Sequence, residues 1–353
     1  MAFRPTFAFL GFAFSAALVG LLAMSPGQAR AQQSGDLFRG REISLLIGGG
    51  PGGGADAYAR LLARHYGRML PGNPSIVAKN VLGAGGLKLA NQLYNVSPKD
   101  GTEIGTFLTT TALEPLFGNK EARFETTKFT WIGNMLDTDA TACVTWKTSG
   151  IKTWEDLKGR ETTFGASGAS SLIAIQTKIV GELLGVKTKV INGYQGGIRT
   201  SNLAMQRGEL DATCGLYIVT VRSQFADQLQ NGDLIVWMTF GAERDKAFPN
   251  VPTIYDVVKN DADRALAELI FKQDVLSRPF SAPPGLSAER TNALRTGFMA
   301  TLADRAFLEE ADKAGLAIHA MTGEETQKRY QAFYSAPPSV VARAKAITGY
   351  TTE

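Results

Sequence analysis

Hydrophobic and polar positions along the chain switch between two periods. Ile43-Ser44-Leu45-Leu46-Ile47 is a short apolar run halted by glycine, which predicts a buried strand. Beyond Gly48-Gly49-Gly50-Pro51-Gly52-Gly53-Gly54, apolar residues recur at Ala59, Leu62, Tyr66 and Met69. That three-to-four spacing predicts a helix from Ala55. Arg60, Arg64 and Arg68 form its opposite, solvated stripe, with His65 among them. The unit then repeats as a strand over 75–81, the loop Gly83-Ala84-Gly85-Gly86 and a helix over 87–94. The turn Pro98-Lys99-Asp100-Gly101 and a strand over 103–108 follow. Strands alternating with helices predict a largely parallel α/β sheet.

A further cycle starts after Trp131. A strand is expected over 141–146, and Thr153-Trp154-Glu155-Asp156 is a capping-type helix start. Thr162-Thr163-Phe164 leads into Gly165-Ala166-Ser167-Gly168-Ala169-Ser170-Ser171 and a helix over 172–184. A strand over 189–192 runs into Gly193-Tyr194-Gln195-Gly196-Gly197 and a helix through Met205. Strands over 211–216 and 234–240 complete the set. The segment 277–284 reads as a return strand, with helix over 288–315. The pattern therefore predicts two α/β lobes, each a mostly parallel sheet with flanking helices. The first is built from 32–138 and completed by about 278–353, the second from 139–277.

Residues 1–31 belong to neither lobe. Arg4 gives a positive start, Phe7 to Met24 is apolar apart from Gly and Ser, and Ser25-Pro26-Gly27 breaks the run before Ala29-Arg30-Ala31. That is the layout of a signal peptide cleaved near Ala31, so the chain is expected in the periplasm. A membrane anchor is the alternative, and the break before an A-x-A site favours cleavage.

Composition narrows the classes. The chain has 353 residues, 44% hydrophobic and 20% charged, which excludes a disordered, collagenous or coiled-coil protein. The 37 basic and 33 acidic residues leave a net charge of +4 with no basic run, so no nucleic-acid partner is expected. Two cysteines and two histidines supply too few ligands for a zinc site, and neither a metal nor a cofactor is expected. Export permits a disulfide between Cys143 and Cys214, with buried free thiols as the alternative.

The chemistry lies in four glycine- or serine-rich loops, 48–54, 83–86, 165–171 and 193–197. Each joins a strand to a helix, where parallel α/β sheets bind ligands. Each following helix offers unsatisfied N–H groups and the positive end of its dipole. Glycine-rich turns also serve tight turning alone, but four together in two lobes suit a small anion. Asp56, in the first helical turn, either complements the dipole or accepts from waters or a ligand. Asp211 either faces the cleft or is structural, and Thr110 stands just past a strand end.

Rival readings are weaker. Gly48, Gly50 and Gly53 satisfy G-x-G-x-x-G, yet Ala78-Lys79-Asn80 puts no acid at the end of the second strand. Gly165-Ala166-Ser167-Gly168-Ala169 approaches a nucleophile elbow but ends in alanine, and His65 and His319 are the only histidines for a triad.

The motifs resemble those of the periplasmic receptors of tripartite tricarboxylate transporters, the Bug family. Pro51-Gly52-Gly53-Gly54-Ala55-Asp56-Ala57-Tyr58-Ala59-Arg60 is similar to their PGGxxDxxAR opening, and Asn80-Val81-Leu82-Gly83-Ala84-Gly85-Gly86 to N-x-x-GAGG. Pro98 to Gly101, Gly193 to Gly197 with Arg207 to Asp211, Phe248 to Thr253 and Arg278 to Gly285 resemble further family segments in the same order. Lys128 to Gly133 departs from the usual crossing segment, and the third loop lacks the family's histidine.

The resemblance implies a two-lobed periplasmic binding protein of type II-like topology that closes on a small organic carboxylate. It implies delivery to an integral-membrane permease, no enzyme activity, and a chain acting as a monomer. The implied contacts are Gly53, Gly54, Ala55, Asp56, Gly83, Ala84, Gly85 and Gly86 from the first lobe. From the second come Ala166, Ser167, Gly168, Ala169, Ser170, Tyr194, Gln195 and Asp211. Di-, tri- and aromatic acids all remain open. The alternatives are an exported serine hydrolase using Ser167 and a sensory receptor for a signalling partner.

Overall fold

The computed structural model describes residues 1–3, 37–137, 140–166, 168, 171–194 and 198–349. The expected signal peptide, apart from its first three residues, lies outside them. Among the described residues no helix is long and apolar enough to cross a membrane.

The first half of the chain runs β1 (Glu42–Ile47), α1 (Gly54–Tyr66), β2 (Ser75–Asn80), α2 (Leu87–Asn95), β3 (Glu103–Thr106), α3 (Thr109–Leu113) and β4 (Thr130–Asn134). It continues through β5 (Thr141–Trp146), β6 (Glu161–Ala166), α4 (Leu172–Leu184), β7 (Lys187–Asn192), α5 (Ile198–Gln206), β8 (Ala212–Tyr217), α6 (Ile218–Gln224), α7 (Ala226–Gln230) and β9 (Leu234–Thr239). The return comprises α8 (Ile254–Val257), α9 (Asp261–Phe271), β10 (Pro279–Ala282), α10 (Ala288–Ala303), α11 (Arg305–Lys313), β11 (Met321–Thr322), α12 (Gly323–Tyr334) and α13 (Pro338–Thr348). The helix start expected at Thr153 is a short 3-10 turn whose capping box joins Thr153 and Asp156.

Two sheets result, with strand orders β11-β4-β10-β3-β1-β2 and β7-β6-β8-β5-β9. They share one plan: a parallel trio (β2-β1-β3 and β7-β6-β8), then a crossing strand (β10 or β5) antiparallel to the trio. Both sheets are thus mixed. The expected parallel pairing holds for the strands that carry the glycine loops. It gives way to antiparallel pairing where the chain passes between sheets, because a strand that enters at the carboxyl ends of its neighbours runs opposite to them.

Alternation in β1 splits the first core. Ile43, Leu45 and Ile47 face Leu61, Leu62 and Tyr66 of α1 and Phe298 of α10. Leu46 faces the other side, with Leu89, Leu93 and Phe107. Each such fully buried side chain contributes about 2 kcal/mol. On that second side Trp131 stacks on Tyr330 of α12 at 4.1 Å. The last helix departs from the expected division. α13 packs on α4 and α9 beside the second sheet, not the first. Arg343 anchors it through Asp263 (2.6 Å) and Glu182 (3.0 Å).

Cys143 and Cys214 form a disulfide joining β5 to β8, and both are fully buried.

Candidate functional site

The first loop is shaped by a closed polar network. Asp56 is buried in the opening turn of α1, and its Oδ2 accepts from the Gly52 N–H at 2.9 Å. Arg60 Nε donates to both carboxylate oxygens at 3.0 Å, and Asn80 Nδ2 donates to Oδ1 at 2.9 Å and to the Gly49 carbonyl at 2.8 Å. Arg60 Nη2 closes the ring on Asn80 Oδ1 at 2.7 Å. Burial alone raises the Asp56 pKa, but the hydrogen bonds from Arg60, Gly52 and Asn80 outweigh it and hold the group below the usual carboxylate range. Asp56 therefore shapes the loop with the oxygens that were expected to serve either dipole or ligand.

The N-cap of α1 is Gly53, with no capping side chain. Its first-turn N–H groups, at Gly54, Ala55 and Asp56, are left for another partner. The second loop packs against the first backbone to backbone. A Cβ on Gly48 would lie 3.2 Å from the Gly86 Cα, and one on Gly86 would lie 3.2 Å from the Gly48 carbonyl. Thr111 Oγ1 donates to the Gly85 carbonyl at 2.9 Å. Gly83, Ala84 and Gly85 are exposed, and a side chain on Gly85 would meet open space.

In the second sheet, Ala166 is buried, and its carbonyl accepts from the Gly193 and Tyr194 N–H groups at 3.0 and 3.1 Å. The third and fourth loops are thereby brought together. Gly168 accepts from Ser171, whose hydroxyl caps α4 by accepting from Ala174. Ser167, Ala169, Ser170 and Gln195 lie outside the described residues. Asp211 stands at the entry of β8, the end away from its exit toward α6. Its carboxylate accepts from Arg160 (2.6 Å) and from the Thr163 N–H and hydroxyl (2.7 Å each). Those contacts tie β8 to β6, the structural one of its two expected roles.

Thr110 is buried on α3 and lines a small cavity with Leu172, Tyr217, Gln273, Asp274 and Ser277. Side chains from both sheets meet at this floor. Asp274 accepts from Thr141 Oγ1 (2.7 Å) and Gln176 Nε2 (2.9 and 3.0 Å). Burial pushes its pKa up to about 7, against the pull of those two hydrogen bonds.

Arg278, at the mouth of β10, is the functional candidate that no glycine motif points to. Its guanidinium carbon lies 5.2 Å from the Tyr58 ring centre on α1 and 5.6 Å from the Tyr217 ring centre at the end of β8. Nη1 donates to the Ser277 carbonyl at 2.6 Å, while the buried Nε has no partner. Arg278 makes no ion pair among the described residues. An arginine opening an otherwise apolar return strand is the signal that could have found it.

A larger cavity, of about 790 Å³, lies behind the crossing strands, between the loop after β9 and His319 beside β11. Its charges cancel. Five cations including Arg222 and Arg329 line it, but Asp137, Glu243 and Asp245 do so too, and Arg244 and Lys272 pair with Asp256 and Glu268. Beside the first glycine loop, by contrast, a guanidinium with no ion pair among the described residues stands next to helix-terminal amides that no side chain caps, the combination that binds an anion. His65, expected on the solvated stripe of α1, is buried against Phe307, with Nε2 2.5 Å from Glu310. It sits at the end of the helix remote from the loop.

No family model matches the chain. Among curated proteins, the UPF0065 protein in the gbd 5' region of Cupriavidus necator is 28% identical over 263 residues, 70% of this chain and 72% of that one. Among solved structures, the periplasmic binding protein BugD superposes with a TM-score of 0.64 at 19% identity, covering 90% of this chain and all (100%) of BugD. MatC from Rhodopseudomonas palustris with bound malate gives 0.61 at 17%, covering 88% and 100%. These likenesses show the fold, the two-lobed fold shared by BugD and MatC, and they agree with the resemblance carried by the motifs.

Proposed function

We infer that the chain belongs with the receptors of tripartite tricarboxylate transporters, as a periplasmic protein without enzymatic activity. In this reading it holds a small organic carboxylate between its lobes and delivers it to an integral-membrane permease. The observation that carries the reading is Arg278. It is a half-buried guanidinium, with no ion pair among the described residues, between Tyr58 of α1 and Tyr217 of β8, beside the uncapped start of α1.

One carboxylate of the ligand takes Arg278 and the first-turn amides of Gly54 and Ala55. The second loop, Gly83 to Gly86, and Thr110 complete the first wall, and Ala166 to Ser170 with Tyr194 and Gln195 close from the other side. Burial on closure strengthens each bond by excluding water. The ligand favours the closed state because only there does it touch both lobes. MatC is solved with malate, and the same class of small dicarboxylate is the ligand expected here. The unit works as a monomer, its export signal removed.

The test is thermal unfolding of the refolded mature chain with mono-, di-, tricarboxylic and aromatic acids. Ligand at about a hundred times its Kd stabilises by about 2.7 kcal/mol, a rise of several degrees. A selective rise that Arg278→Ala removes supports the reading. A melting temperature indifferent to every acid overturns it.

A further inference from the structure

One buried acceptor beside the return strand is satisfied by no group among the described residues. Gln273 is 1% exposed, and its Nε2 donates to the Ile270 carbonyl at 2.6 Å, which fixes the orientation of the amide. Its Oε1 is buried and has no hydrogen-bond partner among the described residues. An unpaired buried acceptor is costly, so a ligand group that pairs with it binds more tightly. Gln273 lines a cavity of about 30 Å³ together with Thr110 of α3, Leu172 of α4 and Tyr217 of β8. That volume fits one water or one small polar substituent.

The second orphan at this place is a donor. Arg278 follows Gln273 by five positions in the chain, and its Nε is buried without an acceptor. Tyr217 touches both features, as a wall of the cavity and as the ring beneath the guanidinium. An unmatched acceptor therefore adjoins an unmatched cationic donor.

We propose that this cavity is a selectivity subsite in which Gln273 Oε1 accepts from a hydroxyl or amine substituent beside the ligand carboxylate held by Arg278. The inference rests on the carboxylate reading above and adds to it a class: acids carrying a hydrogen-bond donor near one carboxylate, over unsubstituted acids of equal length. A site built to pair a ligand donor rejects analogues lacking it, because the buried acceptor is then stranded. A resident water is the competing occupant, and it gives no such preference.

Calorimetric titration of the mature chain with malate, succinate and fluorosuccinate separates these outcomes. Malate is expected to bind at least about tenfold tighter than succinate. Fluorosuccinate, of similar size but without a donor, is expected to follow succinate. In Gln273→Leu the malate advantage should vanish while succinate affinity stays. The wild-type comparison stands on its own if that variant does not fold. Equal binding of malate and succinate, fluorosuccinate matching malate, or an unchanged preference in the variant overturns the subsite and leaves the carboxylate reading intact. Absence of binding by all three, with no response to other acids, overturns both.

Discussion

Arg278 occupies the space that a side chain on Gly54 would need. A Cβ built on Gly54 would lie 2.7 Å from Arg278 Nη2. The missing side chain is what lets a cation approach the first turn of α1, where an anion would otherwise meet backbone dipole alone. Removing the guanidinium in Arg278→Ala should weaken carboxylate binding by about 1.5–3 kcal/mol, the worth of a charge-assisted hydrogen bond. Titration calorimetry reads this directly. Affinity within twofold of wild type, by the same measurement, would take Arg278 out of the site.

Gly54→Ala separates stability from binding at the same contact. Gly54 lies in the helix with no left-handed φ, so alanine should stabilise the chain by about 0.5–1 kcal/mol. The new methyl meets only the far end of a flexible arginine, which swings aside. The expected result is a melting temperature equal to or above wild type together with weaker carboxylate binding. If both rise, the position of the guanidinium is unimportant.

The Asp56 network predicts an acid-side stability profile. Its folded pKa lies below the ordinary 3.8, so the folded state gives up this proton more readily than the unfolded chain. The contribution is fully present above the unfolded pKa and is lost as pH falls through the folded one. The hydrogen bond from Arg60 is the largest lowering contribution, with those from Gly52 and Asn80 after it, and since Arg60 is 42% exposed its charge is partly screened. Asp56→Asn should cost about 1–3 kcal/mol at neutral pH. Denaturant titrations should show that gap holding from pH 7 to about 5 and closing toward pH 3. A pH-independent gap would mean that the carboxylate charge is irrelevant.

Much of this was legible in the chain because period and turn chemistry agree locally. The strand over 141–146 and the helix over 172–184 lie where the apolar spacing puts them, and the loops fall at strand ends because glycine breaks both periods. What could not be read depends on which distant segment arrives beside which. Asp56, Asp211 and Arg278 are all charged residues near strand ends. Asp56 and Arg60 are an i,i+4 pair that α1 makes by itself, but that Asp211 meets Arg160, and that Arg278 meets no acid among the described residues, depends on how distant segments pack. His65 follows the arginine stripe in sequence, yet α11 covers it, a packing that the period of α1 alone does not contain. The antiparallel crossing strands were hidden for the same reason: chain order shows their existence but not the end of the sheet at which they enter.

Asp274 should make stability fall as pH rises. Its pKa is pushed up to about 7 in the fold, against 3.8 unfolded. Between those values the folded chain keeps a proton that the unfolded chain has lost. Unfolding then releases a proton, and stability declines until pH passes about 7. Asp274→Asn mimics the protonated form. It should therefore exceed wild type in stability at pH 8, with the advantage shrinking toward pH 4. Paired denaturation curves test this, and a variant less stable than wild type at pH 8 would show that the buried group is charged and well compensated.

The Cys143–Cys214 disulfide makes the last prediction, one in which stability and ligand binding should part. It closes a loop with a sequence separation of 71 residues. Constraining the unfolded chain to that extent stabilises the fold by about 4 kcal/mol. The bond lies inside the second sheet, joining β5 to the strand β8 that packs on α4. Both cysteines are fully buried, so the double alanine also gives up core contacts, which lowers stability further without touching the loops. Cys143→Ala/Cys214→Ala should therefore unfold at a markedly lower temperature while binding carboxylate with near wild-type affinity at 25 °C, where it is still folded. Thermal unfolding and calorimetry on the same preparation check both halves. An unchanged melting temperature would mean that the crosslink does not restrict the unfolded chain. A lost affinity in a folded variant would mean instead that the bond positions the loops at the strand ends.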